Sequence, residues 1–195
     1  MKPLLEMKNA TRELPDGRVL RFPDVTVLPG DKVSLLGPSG VGKTSLFRMI
    51  ARLDAPTSGS LHIADCKVGY AFQDHRLIPG LTVLDNILFA THDDPSRRSA
   101  IEELIFKAGL KDLSSQPAGS LSGGEASRVN VIRSLVIEPD LLLLDEVGAS
   151  LDDASWAAMK GLLVNQTKKT AVMEIAHVPE RRFFRRNEVR MSMVQ

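Results

Sequence analysis

Hydrophobic residues along this chain occur in several short runs that show little alternation with polar residues. The clearest runs cover residues 32–36, 141–144 and 170–175. A strand with one buried face alternates between apolar and polar residues, whereas a strand buried on both faces reads as a nearly continuous apolar run. The pattern therefore predicts a parallel sheet that is covered on both sides.

The stretches between these runs repeat their hydrophobic residues at helical spacing. Helices are predicted over residues 43–52, 123–136 and 152–166. The stretch 82–118 differs, because it holds helically spaced apolar residues and no strand-like run. We expect a single domain over residues 1–195. Its α/β core is expected to be formed by about residues 1–73 and 120–195, with a small helical insert at about residues 74–119.

The charge balance argues against one class of function. The chain has 25 Lys and Arg against 24 Asp and Glu, so its net charge of +1 is too small to draw it to nucleic acid or to an anionic membrane. The opening residues lack the apolar core of a signal peptide, and the run at 141–144 is too short to cross a bilayer. The single cysteine, Cys66, cannot form an internal disulfide. We expect a soluble, cytoplasmic chain that does not bind nucleic acid.

A glycine-rich segment follows the first of these predicted strands. Residues 37–44, GPSGVGKT, match the phosphate-binding pattern G-x-x-x-x-G-K-[ST] between a strand and a helix. In such a loop, backbone amides surround phosphate oxygens, Lys43 reaches the terminal phosphates and the Thr44 hydroxyl binds Mg²⁺. The alternative is a glycine-rich turn that only caps a helix. The residues predicted to bind ATP here are Gly37, Pro38, Ser39, Gly40, Val41, Gly42, Lys43, Thr44 and Ser45.

Two adjacent carboxylates end the leucine run. Asp145 and Glu146 directly follow residues 141–144, and open α/β sheets place their ligands at the carboxyl ends of the strands. We expect Asp145 to hold Mg²⁺ and Glu146 to polarise the attacking water. An acidic pair that merely begins a loop is the alternative.

The segment Leu121-Ser122-Gly123-Gly124-Glu125 gives the chain its resemblance to a known family. With the phosphate loop and the acidic pair, it resembles the signature of the nucleotide-binding subunits of ABC transporters, and the resemblance covers nearly the whole chain. It implies a P-loop NTPase core with a parallel sheet flanked by helices, beside a small antiparallel β-subdomain and the helical insert. In that family the signature opens a helix and binds the γ-phosphate of ATP held by the opposite subunit. A serine helix cap followed by loop glycines is the alternative.

Further positions match the same family in the expected order along the chain. Gln73 matches the glutamine that contacts Mg²⁺ and water, and His177 matches the switch histidine that contacts the γ-phosphate. Residues 149–152 resemble the D-loop, whose aspartate, here Asp152, lies at the subunit interface. The resemblance thus implies catalytic roles for Glu146, His177 and Gln73, a metal site of Thr44, Gln73 and Asp145, and signature contacts to ATP from Ser122, Gly123, Gly124 and Glu125.

The match departs from the family at a few positions. Leu14 stands where family members place an aromatic side chain that stacks on adenine, so we expect weaker ATP binding or a lower preference for adenine. Val147 replaces the usual proline after Glu146, and residues 125–128 replace the usual Gln/Arg-rich helix start. Neither of these two changes removes a group that does chemistry.

The stretch 181–186 contains four arginines around Phe183 and Phe184. We interpret it as the solvated face of a helix with both phenylalanines in the core, because charge runs usually face solvent. A patch that contacts a membrane is the alternative.

The resemblance implies a motor whose other half lies in a different chain. Two copies, or one copy with a related ATPase subunit, would hold ATP between the P-loop of one and the signature of the other. ATP-dependent closure would then drive a membrane-spanning permease from the cytoplasmic face of the cell membrane. Residues 72–79 and 81–87 are most similar to importers of the nitrate, sulfonate and taurine group. A soluble ABC-type ATPase acting on nucleic acid or the ribosome, and a regulatory module that senses ATP without turnover, are the alternatives.

Overall fold

The computed structural model describes residues 2–92, 94–176, 179–184 and 187–192. The described strands are β1 (Leu5–Glu13), β2 (Val19–Arg21), β3 (Val25–Val27), β4 (Lys32–Leu36), β5 (Ser58–Ile63), β6 (Val68–Ala71), β7 (Leu141–Asp145), β8 (Ala171–Ile175) and β9 (Asn187–Arg190). The α-helices are α1 (Lys43–Ile50), α2 (Val83–Leu88), α3 (Arg98–Lys107), α4 (Gly123–Leu135) and α5 (Asp153–Gln166). Short 3₁₀ turns cover Phe89–Thr91, Pro95–Arg97, Lys111–Leu113, Ala118–Ser120 and Pro179–Arg181.

A five-stranded parallel sheet with the order β6-β7-β8-β4-β9 forms the centre of the molecule. Every residue of β7 and of β8 is buried. Leu142 and Leu144 pack into the cluster formed with α2 to α5, whereas Leu141 and Leu143 pack into the cluster that contains α1. Both faces of β7 are therefore covered, which confirms the parallel sheet predicted from the continuous apolar runs.

A second, antiparallel sheet lies over the α1 side of the molecule. It has the order β2-β1-β3, with β5 also paired to β1. Side chains such as Leu5 and Val27 join Phe47 of α1 and Met173 of β8 in one hydrophobic cluster. This sheet is the antiparallel β-subdomain implied by the family resemblance.

The segment between β6 and α4 is helical. Thr82 caps α2 by accepting a hydrogen bond from Asp85 N at 3.1 Å. Thr82 also bridges to Pro117, which brings the two ends of the segment together. Helices α2 and α3 confirm the helical character expected here, and the exact boundaries of an insert at residues 74 and 119 stay a prediction. None of the helices that the structure describes is both long and apolar enough to cross a membrane.

The segment after β8 corrects one expectation. Residues 181–186 were expected to form a helix, but a single 3₁₀ turn ends at Arg181 and no helix follows over residues 182–184. The buried carboxylate of Glu174 accepts hydrogen bonds from the backbone N–H groups of Phe183 and Phe184, at 2.9 and 3.0 Å, in place of helical carbonyl oxygens. Both phenylalanines are buried, as expected. Arg185 and Arg186 lie outside the described residues.

Candidate nucleotide-binding site

The phosphate loop joins β4 to α1. Gly42 immediately precedes α1 with a φ of 102°, a left-handed backbone that favours glycine. A Cβ atom at Gly42 would lie 2.9 Å from Cδ1 of Leu20, so a side chain there would also crowd the Leu20 side chain. The strand–loop–helix arrangement predicted from the sequence is therefore present. The backbone conformation at position 42 favours glycine, and the space beside it is too small for a side chain.

Lys43 is the first residue of α1, and its side chain reaches back to the start of the loop. Its Nζ donates hydrogen bonds to the carbonyl oxygens of Gly37 and Pro38, both at 2.8 Å. Burial lowers the pKa of Lys43, and the nearby carboxylates of Glu146 and Asp145 oppose that shift. The ammonium group is thus fixed above the loop, close to the two acidic residues at the end of β7.

Asp145 is fully buried at the end of β7. Its two carboxylate oxygens accept hydrogen bonds from Thr44 Oγ1 at 3.3 Å and from the Tyr70 hydroxyl at 2.9 Å. Burial raises the pKa of Asp145, and these two hydrogen bonds oppose the shift. The structure thus brings Thr44 and Asp145 into contact, and their predicted binding of Mg²⁺ stays a prediction. Tyr70 was missed, although its place on β6, three residues before Gln73, offered a signal.

Glu146 points to a different neighbour from Asp145. Gln73 Nε2 donates to Glu146 Oε2 at 3.1 Å, and Glu146 N donates to Ile175 O at 3.0 Å. The backbone of Glu146 has a φ of 56°, which is uncommon for a residue with a side chain and often marks a functional position. The structure thus brings Gln73 and Glu146 into direct contact.

A cleft of about 340 Å³ lies beside the phosphate loop. Its lining contains many of the predicted residues together with three from the β1–β2 hairpin. The lining residues are Leu14, Arg18, Leu20, Ser39, Gly40, Gly42, Lys43, Thr44, Ser45, Gln73 and Glu146. Gly37 and Pro38 take part through the carbonyl oxygens that bind Lys43, and Val41 is buried in the core. Arg18 and Leu20 were not predicted.

The segment Leu121-Ser122-Gly123-Gly124-Glu125 lies outside the lining of this cleft. Ser122 caps α4, and Glu125 Oε2 accepts hydrogen bonds from Ser122 N at 2.8 Å and from Ser122 Oγ at 2.7 Å. Ser122 therefore caps α4, and the predicted contacts of Ser122, Gly123, Gly124 and Glu125 with ATP stay a prediction. A Cβ atom at Gly123 would meet nothing within 4 Å, so the approach to the start of α4 is open there.

Residues 149–152, shortly after Glu146, contact the start of α4. A Cβ atom at Gly124 would lie 3.0 Å from the carbonyl oxygen of Ser150. Asp152 caps α5 by accepting a hydrogen bond from Ser155 N at 2.7 Å. The stretch 149–152 therefore lies against the start of α4. His177 falls outside the described residues, and its role stays a prediction.

The family model described as ABC transporter matches residues 20–149, which is more than half of the chain. The chain belongs to the ABC transporter family. As a member of that family it is an ATPase that binds and hydrolyses the nucleotide.

Curated relatives of this ABC ATPase have several stated roles. It is 34% identical to the cell division ATP-binding protein FtsE of Bacillus subtilis, over 91% of this chain and 87% of the relative. It is 41% identical to the aliphatic sulfonates import ATP-binding protein SsuB 1 of Rhodococcus jostii, over 76% of this chain and 61% of the relative. The chain thus spans about three fifths of the length of that sulfonate relative.

Solved structures agree with the family assignment. The bacterial ABC transporter cassette MJ0796, in its dimeric structure, superposes on this ABC ATPase with a TM-score of 0.80 at 26% identity, over 96% of this chain and 94% of that one. The dimeric post-hydrolysis state of the same cassette, bound to ADP and Pi, gives a TM-score of 0.81 at 26% identity over the same shares of both chains.

Proposed function

We propose that this ABC ATPase is one half of a two-subunit motor in which each ATP is held between the phosphate loop of one chain and the signature of the other. The observation that carries the proposal is the position of the signature, Leu121 to Glu125, outside the lining of the phosphate-loop cleft. The start of α4 is a second site for an anion, with a helix N-terminus and an unobstructed Gly123. The phosphate at that site belongs to the ATP that the phosphate loop of a second chain holds.

Within one cleft, the phosphate loop positions the nucleotide. Backbone amides of the loop bind phosphate oxygens, and Lys43 exchanges the carbonyl oxygens of Gly37 and Pro38 for the terminal phosphates. Glu146 then orients the attacking water and accepts its proton, because its carboxylate lines the cleft while that of Asp145 is buried beneath Thr44. Gln73, in contact with Glu146, aligns that carboxylate.

The oxygen atoms around Asp145 fit Mg²⁺, which prefers hard oxygen ligands. The Thr44 hydroxyl and the Asp145 carboxylate already meet at 3.3 Å, and Gln73 lines the adjacent cleft. We assign these three residues to hold the ion, with Asp145 acting from its buried position. When bound, Mg²⁺ neutralises charge on the phosphates that separate during hydrolysis.

ATP binding favours the closed arrangement of the two chains. Nucleotide that touches both chains binds the closed pair better than the open one, so ATP shifts the pair toward closure. Hydrolysis removes the shared γ-phosphate and allows opening. The loop that contains Gln73 leads directly into the helical segment, which passes this motion to a membrane-spanning partner at the cytoplasmic face of the cell membrane.

The membrane partner is proposed to be an importer of the sulfonate class. Segment 72–79 is similar to that group, and several curated relatives are aliphatic sulfonate import ATP-binding proteins. Co-expression with a sulfonate-type permease tests this assignment: co-purification from detergent-solubilised membranes and ATP-dependent uptake of a labelled sulfonate are expected. Co-purification with a cell-division membrane protein instead would favour the role stated for the FtsE relative.

The shared-site motor is tested by measuring ATP turnover per chain as a function of chain concentration. Turnover per chain should rise with concentration and level off where sedimentation shows the dimer, because an isolated chain lacks the signature half of the site. The Lys43→Ala variant gives the background of contaminating ATPases. Constant turnover per chain across dilution to the monomer would contradict the proposal.

A further inference from the structure

Tyr70 lies in β6, beside the strand that ends in Asp145. Strands β6 and β7 are parallel neighbours, with Tyr70 opposite Leu143. The Tyr70 hydroxyl donates to Asp145 Oδ2 at 2.9 Å, whereas Thr44 Oγ1 donates to Asp145 Oδ1 at 3.3 Å. The two oxygens of this carboxylate thus have different neighbours, and its orientation is defined from both sides.

The ring of Tyr70 is fixed by aromatic packing on two sides. The edge-to-face contact with Phe47 of α1 has 6.0 Å between ring centroids and an angle of 83°. The stacked contact with Phe72 has 3.9 Å between centroids and an angle of 29°. Arg76 adds a further contact, since its guanidinium carbon lies 4.7 Å from the centroid of Phe72. Packing therefore places the hydroxyl independently of the bond that it makes.

Burial makes the hydrogen bond from Tyr70 important for Asp145. The Asp145 side chain is fully buried, so a carboxylate oxygen that loses its donor is not compensated by bulk water. Without the Tyr70 hydroxyl, rotation of the carboxylate would turn Oδ1 away from Thr44. Hydrogen-bond partners behind a metal ligand are known to fix its orientation in this way.

We propose that Tyr70 is a positioning residue that holds the Asp145 carboxylate in place for Mg²⁺ and so sets the affinity of the site for the ion. This inference rests on the proposed function, in which Asp145 and Thr44 hold the ion. Tyr70 lies outside the lining of the nucleotide cleft, so it acts through Asp145 and not on the nucleotide. Nucleotide binding without a divalent metal should not depend on the hydroxyl.

Electron paramagnetic resonance of Mn²⁺ tests the proposal without turnover, because Mn²⁺ takes the oxygen ligands that suit Mg²⁺. Mn²⁺ is titrated into chain held in excess over a non-hydrolysable ATP analogue, so that no free nucleotide competes for the ion. Tyr70→Phe removes the hydroxyl, keeps the ring and is expected to weaken Mn²⁺ binding by about 10- to 100-fold. Its affinity for the analogue without metal should stay within about twofold, because the phosphate loop is unchanged.

The Mg²⁺ dependence of turnover separates a weakened ion site from a weakened fold. Tyr70→Phe should need about 10- to 100-fold more free Mg²⁺ for half-maximal turnover at saturating ATP. At saturating Mg²⁺ its kcat should return to within about threefold of that of the natural chain, because a high ion concentration offsets a lower affinity. Excess Mg²⁺ would not repair a general loss of packing.

Ser34→Ala is the matched control. Ser34 Oγ, in β4, donates to the buried carboxylate of Glu174, with 2.9 Å to Oε1. This bond is of the same kind and length as the one from Tyr70, but both of its residues lie outside the cleft lining. Ser34→Ala should change neither the Mn²⁺ affinity nor the Mg²⁺ requirement. Thermal unfolding of both variants compares their cost to the fold.

Two outcomes would overturn the inference. Unchanged Mn²⁺ affinity in Tyr70→Phe would show that the hydroxyl does not position Asp145 for the ion. A loss of turnover that saturating Mg²⁺ does not restore, and that Ser34→Ala shares, would give Tyr70 a purely structural role. Failure of the proposed ion site appears separately: Asp145→Asn would then bind Mn²⁺ as tightly as the natural chain.

Discussion

Gln73 donates a hydrogen bond from its Nε2 atom to Oε2 of Glu146, with 3.1 Å between the two atoms. Gln73 follows β6, and Glu146 follows β7, which is the neighbouring parallel strand. The contact ties the loop that enters the helical segment to the carboxylate proposed to orient water. The position of that loop and the position of the Glu146 carboxylate are therefore linked by this side-chain contact.

Gln73→Ala should lower kcat by roughly 10- to 100-fold and change the affinity for ADP, measured without Mg²⁺, by less than about twofold. The variant removes the Gln73 hydrogen bond to Glu146 but leaves Lys43 and the phosphate loop intact, so the loss falls on the chemical step. Steady-state kinetics with calorimetry of ADP binding measure both effects. An equal loss in ADP affinity and kcat would assign Gln73 to ground-state binding.

Gly123→Ala should abolish ATP-dependent pairing without harming the single chain. A Cβ atom at Gly123 meets nothing within 4 Å in the folded chain, so alanine fits there and the free energy of unfolding should not fall. The methyl group would obstruct the phosphate of the partner's nucleotide. Denaturant unfolding and sedimentation with Mg-ATP measure the two properties separately.

Gly161→Ala is the matched control for that change. Gly161 lies within α5 and its Cβ position also meets nothing within 4 Å. Because Gly161 lies in the interior of α5, the control should gain about 0.5–1 kcal/mol of stability while keeping normal pairing and turnover. Normal ATP-dependent pairing of Gly123→Ala would place the shared phosphate elsewhere.

Arg133→Lys should lower the free energy of unfolding by about 1–3 kcal/mol. Its guanidinium donates to His75 O at 2.6 Å and to Arg76 O at 2.7 Å. His75 and Arg76 have φ values of 57° and 49°, a strained pair that these two bonds hold. Lysine cannot reproduce the two-pronged contact. Urea unfolding measures the change.

Arg98→Lys is the control for Arg133→Lys. Arg98 forms an exposed pair with Glu102 one helical turn away, and such pairs contribute little to stability. Its change in unfolding free energy should stay within about 0.5 kcal/mol. Equal effects of the two substitutions would show that the Arg133 contacts do not stabilise the loop.

Glu174→Gln should become more stable relative to the natural chain as pH rises above the ordinary glutamate range. Burial raises the pKa of Glu174, opposed by hydrogen bonds from Ser34, Phe183 and Phe184. The folded chain thus holds this proton more tightly than the unfolded chain, and the resulting stability is lost as pH rises through the raised pKa.

Urea unfolding of both proteins across a pH series measures this difference. Glutamine does not titrate, so the difference in unfolding free energy, variant minus natural chain, should increase across the interval from the ordinary glutamate pKa to the raised one. Below that interval the difference should be constant. A difference that is flat throughout, or that falls with pH, would contradict the shifted pKa.

The parts of the site that depend on local sequence were predictable. The phosphate loop needs glycines and Lys43 in one continuous segment, and β7 leads directly into Asp145 and Glu146. Continuous apolar runs also predicted β4, β7 and β8, because a strand buried on both faces leaves no alternation.

The parts that depend on distant contacts were not predictable. Tyr70 reaches Asp145 across 75 positions of sequence, and Arg133 reaches the His75 carbonyl across 58. Residues 182–184 avoid a helix because Glu174, on another element, accepts the N–H groups of Phe183 and Phe184. Pairing of β9 with β4 likewise depends on contacts far along the chain.

The central claim, a nucleotide shared by two chains, is tested most directly by sedimentation of the Glu146→Gln variant with and without Mg-ATP. The variant should bind ATP, hydrolyse it about 10²- to 10⁴-fold more slowly, and so accumulate in the closed pair. We predict a shift from monomer to dimer on adding Mg-ATP, which a second change, Lys43→Ala or Gly123→Ala, abolishes. A Glu146→Gln chain that binds ATP but stays monomeric would contradict the shared site between two copies.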